Sequence, residues 1–387
     1  MSKYEALGKH IQLVDDRNSE NITDRVLGIN IDKYFMPSVA NVIGTDLSKY
    51  KLLKKGYFAC NPMHVGRDER LPISLYNEDV PGLVSPAYFM FKVIDNTLLN
   101  EEYLMMWFRR PEFDRQCWLR TDGSVRGGIT WDEITRMEVP VPSLEKQMEI
   151  VQAYRTITDR IALKQRINEN LEQQAQAIFA NMFDESNTTQ ATISDVSLNV
   201  TDGVHNTVHD DPEGEYLLLS CKNIKGGSLN IGTSERRISR DTFEKLRRRT
   251  KLSKGDVLIS SVGTIGELLL LNNEPLNYEF QRSVAMVKPN PSVVSSAYLY
   301  ESLLSNRAKL INSAHGAVQQ CLFISDIAEF PIRIPQQDIL SEFDTIVTPM
   351  LDIVTANENE NIKLSQLRDT LLPKLMSGEI DVSDLEF

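Results

Sequence analysis

The chain repeats itself. From Gly123 and Gly316 onward a constant offset of 193 residues carries Ile134 onto Ile327, Val141 and Pro142 onto Ile334 and Pro335, and then one whole long segment onto another. Looser matches come earlier: KKGY at 54–57 beside LSKGD at 252–256, and NEEYL at 100–104 beside SSAYL at 295–299. A self-similar chain folds as two versions of one unit, so an element assigned in one half must find a counterpart in the other. The length of 387 residues, roughly twice the usual span of a domain, agrees with two units having separate cores.

The segments 144–183 and 336–376 contain no internal glycine, and their apolar residues recur at alternating steps of three and four, which predicts two long helices. One seam runs from Ile150 through Ile157, Ile161, Lys164, Asn168 and Leu171 to Met182. The offset maps it onto a seam from Phe343 through Met350, Val354, Asn357, Asn361 and Leu364 to Leu375. Some 40 residues at about 1.5 Å each make a rod of roughly 60 Å, too long for a small domain to cover. The simplest partner for each rod is the other, in an antiparallel coiled coil with Ile157, Leu171, Met350 and Leu364 in the interface. Asn168 and Asn361 then take the same seam position, where a buried asparagine gives up stability and fixes register. The alternative is that both asparagines are solvated breaks between shorter helices. Paired rods would hold the flanking units at a set distance, as a ruler does.

Around the rods the sequence divides into a globular segment 1–143, the central helix 144–183, a polar linker 184–192, a second globular segment 193–335, and a C-terminal helix and tail 336–387. The globular segments mix short β-rich runs (YFMF at 88–91, DVLIS at 256–260, SVAMV at 283–287) with turn clusters and one or two amphipathic helices, so the fold class is α+β.

Hydrophobic residues at 41% and charged residues at 25% exclude a largely disordered or collagen-like chain. The opening MSKYEALGKH has no apolar signal segment, and the longest aliphatic run, 268–271, is far short of a membrane span, so the expectation is a cytoplasmic protein with no membrane partner. Four cysteines, Cys60, Cys117, Cys221 and Cys321, lie far apart without a C-x-x-C pair and are expected as buried thiols, with no zinc site. The net charge of −12 argues against a nucleic-acid partner only until its distribution is examined. From residue 337 onward three cations face eleven acids; between 235 and 255 nine cations face three acids.

Two units, each followed by a long helix, resemble the specificity subunit of type I restriction-modification systems. The resemblance covers essentially the whole chain and rests mainly on the second half: TDGVH at 201–205, LLLSCKNI at 217–224, KGDVLIS at 254–260, GTIG at 263–266, QRSVA at 281–285 and LLPKLMSGEI at 371–380. It implies two target-recognition domains, each reading one part of a split double-stranded DNA site, and helices that also dock methyltransferase subunits. It further implies a restriction and translocase subunit, with S-adenosylmethionine, ATP and Mg²⁺ belonging to the partner subunits and no cofactor in this chain. The first half departs from the pattern, lacking both the D-G-x-H opening and the G-T-I-G turn.

Candidate contacts follow from residue chemistry. Arg236, Arg237, Arg240, Lys245, Arg247, Arg248, Arg249 and Lys251 form the basic run, suited to phosphate neutralisation or a bidentate grip on guanine. Lys49, Lys51, Lys54 and Lys55 make a weaker version in the first half. Gln281, Arg282, Gln319 and Gln320 carry side chains able to read base edges, or serve as ordinary surface amides and caps; Ser124 and Arg126 hold the equivalent first-half places of Ala317 and Gln319. The GTIG run either admits a phosphate to backbone amides or makes a tight strand turn. His205, beside Asp202 in an irregular loop, reads as a backbone or DNA contact rather than a metal ligand. No catalytic set is visible: there is no methylation motif, cofactor loop, Walker sequence or nuclease carboxylate cluster. The rival functions are a stand-alone methyltransferase, which would bind S-adenosylmethionine by itself, and a coiled-coil adaptor, which would show no preference among DNA sequences.

Overall fold

A computed structural model describes residues 3–63, 65–121, 127–232, 234–316, 320–380 and 382. It contains two compact units, 1–161 with 362–387, and 162–361. Each long helix, Leu144–Met182 and Gln337–Ser377, has residues in both units.

The duplication reappears as topology. In the first unit a four-stranded antiparallel sheet has the order Ile11–Leu13, Phe89–Val93, Phe58–Cys60, Ile73–Leu75; in the second the order is Ser197–Asp202, Val284–Pro289, Val257–Ser260, Leu268–Leu270. Each sheet is followed by a helix of equivalent place, Glu101–Phe108 and Ser296–Ser305. Both are capped by a side chain that accepts from the first turn: Asn100 Oδ1 from the amides of Glu102 (2.9 Å) and Tyr103 (3.0 Å), and Ser295 Oγ from that of Tyr298 (3.0 Å). The matched strings at 100–104 and 295–299 are therefore two cap-and-first-turn segments.

The polar segment 184–192 is mostly strand. Thr188–Thr192 pairs antiparallel with Pro331–Pro335, as Lys3–Ala6 pairs with Glu138–Val141 in the first unit. Both pairings hold the start of a repeat against the strand that leads into its long helix. Polar composition concealed the strand because a two-stranded edge ribbon needs β-branched backbone preference, which Thr supplies, more than it needs apolar faces.

In the first unit, aromatic residues fill the core: Phe58 stacks on Phe91 at 5.0 Å, and Trp107, Phe108 and Phe113 pack beside them. Ile150 and Val151 of the first long helix join this core together with Leu372, Leu375 and Met376 of the second. Ile157 is buried and lines a small cavity with Arg368, Leu371 and Leu372. The second unit buries Val257, Ile259, Ala285, Val287 and Leu299 between sheet and helices, and Phe179 meets Phe343 at 6.0 Å. Each fully buried side chain of this size contributes about 1.5–3 kcal/mol. The second long helix continues through Pro349, whose ring faces solvent. Cys60 and Cys117 are buried as expected, whereas Cys221 and Cys321 are only half-buried.

Within the second unit the two helices run antiparallel, since Lys164 and Asn168 meet residues 354–360 while Phe179 meets Phe343. The partner of Asn168 is Asn357, however, and not Asn361. The Asn357 amide donates to Asn168 Oδ1 (2.8 Å), Asn168 Nδ2 donates to the Val354 carbonyl (3.2 Å), and Lys164 Nζ donates to Asn357 Oδ1 (2.8 Å). Antiparallel pairing sets ascending numbers against descending ones, so two residues equivalent in the repeat face each other only at the pairing axis. Asn361 lies one turn away, half-buried, with its Oδ1 unpartnered. Leu171, Met350 and Leu364 are half-buried.

Candidate nucleic-acid interface

Strand register brings three connections of the second unit to one end of its sheet. Asp202 pairs with Ala285, Ser260 with Val284, and Ile259 with Leu268, so the loop after 202, the turn 261–267 and the turn 281–283 leave the sheet side by side. Backbone bonds tie them together: Gly203 N donates to Val284 O (3.1 Å), Arg282 N to Val204 O (3.0 Å) and Ser261 N to Ser283 O (2.9 Å). Val262 forms a bridge with Cys321, which brings the exposed Gln320 to the same end.

Glycine is required where these connections touch. A Cβ on Gly203 would stand 2.1 Å from the Phe280 carbonyl oxygen and 2.2 Å from that of Gln281, so any side chain would push the TDGVH loop away from the turn. In the GTIG run Gly263 and Gly266 adopt φ of +76° and +79°, and the Gly266 amide donates to Ser260 O at 2.9 Å. That closes a strand connection and takes the Gly266 amide out of reach of a phosphate.

The basic run divides into anchors and free cations. It forms the strand Arg236–Ile238 and the helix Arg240–Thr250, whose N-cap Ser239 accepts from Thr242 N. Arg247 donates from Nη2 to the carbonyls of Pro275 (2.6 Å) and Tyr278 (2.9 Å) and from Nε to Glu279, which is wholly buried. Burial raises the Glu279 carboxyl, and the Arg247 guanidinium pulls it back. Arg249 donates to the carbonyls of Asp202 (2.7 Å) and Gly203, bracing the TDGVH loop. Arg236 holds the Val208 carbonyl, Arg237 that of Gly214 (3.0 Å), and Arg240 pairs with Glu244 at 2.9 Å. The run was expected to face DNA as a whole, but Arg247 and Arg249 serve the protein's own backbone instead, because a buried carboxylate and unpaired carbonyls claim them first.

Among the described residues, the side chains of Lys245, Lys251 and Arg282 form no hydrogen bond or ion pair, and Arg248, 81% exposed, has only a long 3.8 Å pair with Glu244. Lys251 ends its helix at a left-handed φ of +49°. His205, exposed, shares a 2.6 Å hydrogen bond between Nε2 and Asp202 Oδ2, which holds the ring at the loop surface. Gln281 is half-buried. Gln319, Ser124 and Arg126 lie outside the described residues. Among the described residues no group of three His, Cys, Asp or Glu is arranged to hold a metal ion, and no helix is long and apolar enough to cross a membrane.

The first-half lysines do not make a free patch. Lys54 pairs with Asp16 (2.7 Å), Lys55 with Asp79 (2.8 Å) and Lys49 with Asp46 (3.5 Å), while Lys51, 9% exposed, donates to the Tyr88 carbonyl (2.7 Å). Asp16 and Asp79 lie 38 and 24 residues from their lysines, beyond a local charge count, whereas Asp46 is a near neighbour of Lys49.

Sequence reasoning missed the side chains that organise this end. Ser261 Oγ donates to Arg282 O (3.2 Å), Ser283 Oγ accepts from Cys221 N (3.1 Å), and Asp202 connects His205 to Arg249. The available signal was the placement of hydroxyls and a carboxylate next to Gly203 and the QR pair.

Three comparisons bear on this geometry. The model of the type I restriction modification DNA specificity domain matches residues 206–364, which include most of the loops described. The chain is 29% identical over 317 residues to the type I restriction enzyme MjaIX specificity subunit of Methanocaldococcus jannaschii, spanning 73% of this chain and 70% of that protein. It is 23% identical over 184 residues to the type I restriction enzyme EcoBI specificity subunit of Escherichia coli, spanning 46% and 38%. Its fold resembles the crystal structure of a type I restriction-modification system S subunit from M. genitalium, with a TM-score of 0.59 at 13% identity over 97% of this chain and 96% of that one.

Proposed function

We propose that this chain, similar to type I restriction-modification specificity subunits, selects the DNA sequence on which partner subunits act, without chemistry of its own. The second unit reads one half of a split double-stranded target with the loops at the end of its sheet. The first unit, whose lysines are paired with acids, reads a different half-sequence, and the long helices keep the two half-sites at their spacing. Methyltransferase subunits dock on the complex, and a restriction and translocase subunit joins them. S-adenosylmethionine, ATP and Mg²⁺ are used by those partners, in the cytoplasm. The observation that carries this reading is the assembly, at one sheet end, of a glycine-fixed loop and a rigid QR turn that bears the free cation Arg282, with Arg249 of the basic helix bonded to the carbonyls of that loop.

Phosphate contacts supply sequence-independent affinity and make it fall with salt, with a slope of about 0.9 per contact. Replacing Lys245, Arg248 and Lys251 together by alanine is expected to weaken binding to every duplex about equally and to reduce the slope of log K against log salt by about 2–3. All three are exposed, so thermal stability should stay within about 0.5 kcal/mol of wild type. Titrating salt against a fluorescent duplex measures both; an unaltered slope removes these cations from the interface.

A further inference from the structure

We infer that Arg282 is the residue through which the second unit specifies a guanine, acting on a base edge rather than on phosphate; the inference rests on the DNA-reading function proposed above. The turn that carries it is fixed from every side. Gln281 N donates to Leu219 O (2.8 Å) and its carbonyl accepts from Val284 N (3.1 Å). Arg282 N donates to Val204 O (3.0 Å), and its carbonyl accepts from Ser261 Oγ (3.2 Å). Ser283 O accepts from Ser261 N (2.9 Å) and Ser283 Oγ from Cys221 N (3.1 Å). The backbone of 281–283 is therefore placed before any ligand arrives, as a group that must discriminate by geometry requires.

The side chain is free where its neighbours are not. Arg236, Arg237, Arg247 and Arg249 each hold a carbonyl of the protein, while the Arg282 guanidinium has no hydrogen bond or ion pair among the described residues. Nearby acids are already occupied: Asp202 by His205 and Arg249, Asp326 by the Phe323 amide (2.9 Å) and His315 (3.5 Å). Position separates it from the other free cations as well. Val284–Pro289 is an interior strand, so its leading turn lies between the TDGVH loop and the turn 261–267, in the middle of the sheet end. Lys245, Arg248 and Lys251 belong instead to the last turns and end of the helix Arg240–Thr250. Helix-borne cations suit backbone phosphates; an arginine on the central turn with all five N–H donors unspent has the fork that matches guanine O6 and N7.

The test selects binding sites from a randomised duplex pool with the full chain, assembled with its methyltransferase partners, for wild type, Arg282→Lys and Arg282→Ala. Lysine keeps the charge and loses the planar fork, so it separates base reading from phosphate neutralisation. Both variants should lose one G·C position from one half of the consensus, bind the wild-type site about 10- to 100-fold more weakly, and retain the other half-site. Arg282→Lys should keep the salt slope of wild type, and its thermal stability should be unchanged. A consensus that survives in both variants, or a loss spread evenly over all sequences, overturns the assignment of Arg282 alone. A wild-type chain with no consensus at all overturns the DNA-reading function and this inference with it.

Discussion

Arg247→Ala is expected to destabilise the second unit by about 3–5 kcal/mol, whereas the neighbouring Arg248→Ala leaves stability within about 0.5 kcal/mol and weakens only DNA binding. Arg247 is the sole cation bonded to Glu279 among the described residues, and Glu279 is wholly exposed to protein and not to water. It also accepts from the hydroxyl of Thr250, 3.1 Å from both carboxylate oxygens. Removing the guanidinium strands a buried charge together with the carbonyls of Pro275 and Tyr278, and takes away the contact over the Phe243 ring at 4.9 Å. The carboxyl would respond by taking up a proton, which limits the loss but leaves the carbonyls unpaired. At roughly 2–4 °C per kcal/mol for a unit of this size, the midpoint should fall by about 6–20 °C. Thermal unfolding of both single variants is the check. Glu279→Gln in the Arg247→Ala background should recover part of the loss, since it removes the stranded charge. Equal midpoints for Arg247→Ala and Arg248→Ala would show that Arg247 is as free as its neighbour.

That contrast also marks what a linear reading can and cannot see. The period of the repeat, the two helical seams and the mixed fold class follow from spacing within a few tens of residues, because helices and turn caps are local objects. The seam positions Ile157 and Asn168 are buried where the heptads put them. The register of the seam is a tertiary quantity: which turn of one helix meets which turn of the other decided that Asn168 bonds to Asn357. Charge shows the same limit. Nine cations between 235 and 255 signal an interface, yet which of them reach solvent depends on Glu279, 32 residues from Arg247, and on the carbonyls of Asp202 and Gly203, 47 and 46 residues from Arg249. The strand Thr188–Thr192 was hidden for the opposite reason, since its pairing with Pro331–Pro335 spans most of the unit.

The other large effect concerns pH. Glu301, on the helix Ser296–Ser305, is 1% exposed, and its Oε2 has no hydrogen-bond partner. Burial pushes its carboxyl from the ordinary 4.5 up to about 8, and the nearby Glu172 adds to the rise. Burial also raises Glu172 on the first long helix and Glu358 on the second, the latter held back by the hydroxyl of Ser228. A carboxyl whose folded pKa exceeds its unfolded one keeps a proton that the unfolded chain has released. Between about pH 4.5 and 8 the unfolded state thus binds fewer protons, stability falls as pH rises, and the fall ends once the folded group has also ionised. Glu301→Gln carries the neutral shape at every pH and removes this loss. It should match wild type near pH 5 and exceed it by a few kcal/mol at pH 8, a difference of about 5–10 °C in midpoint. Thermal unfolding from pH 5 to 8 decides the matter: parallel curves for the two proteins would mean that Glu301 ionises in the folded chain as freely as in the unfolded one.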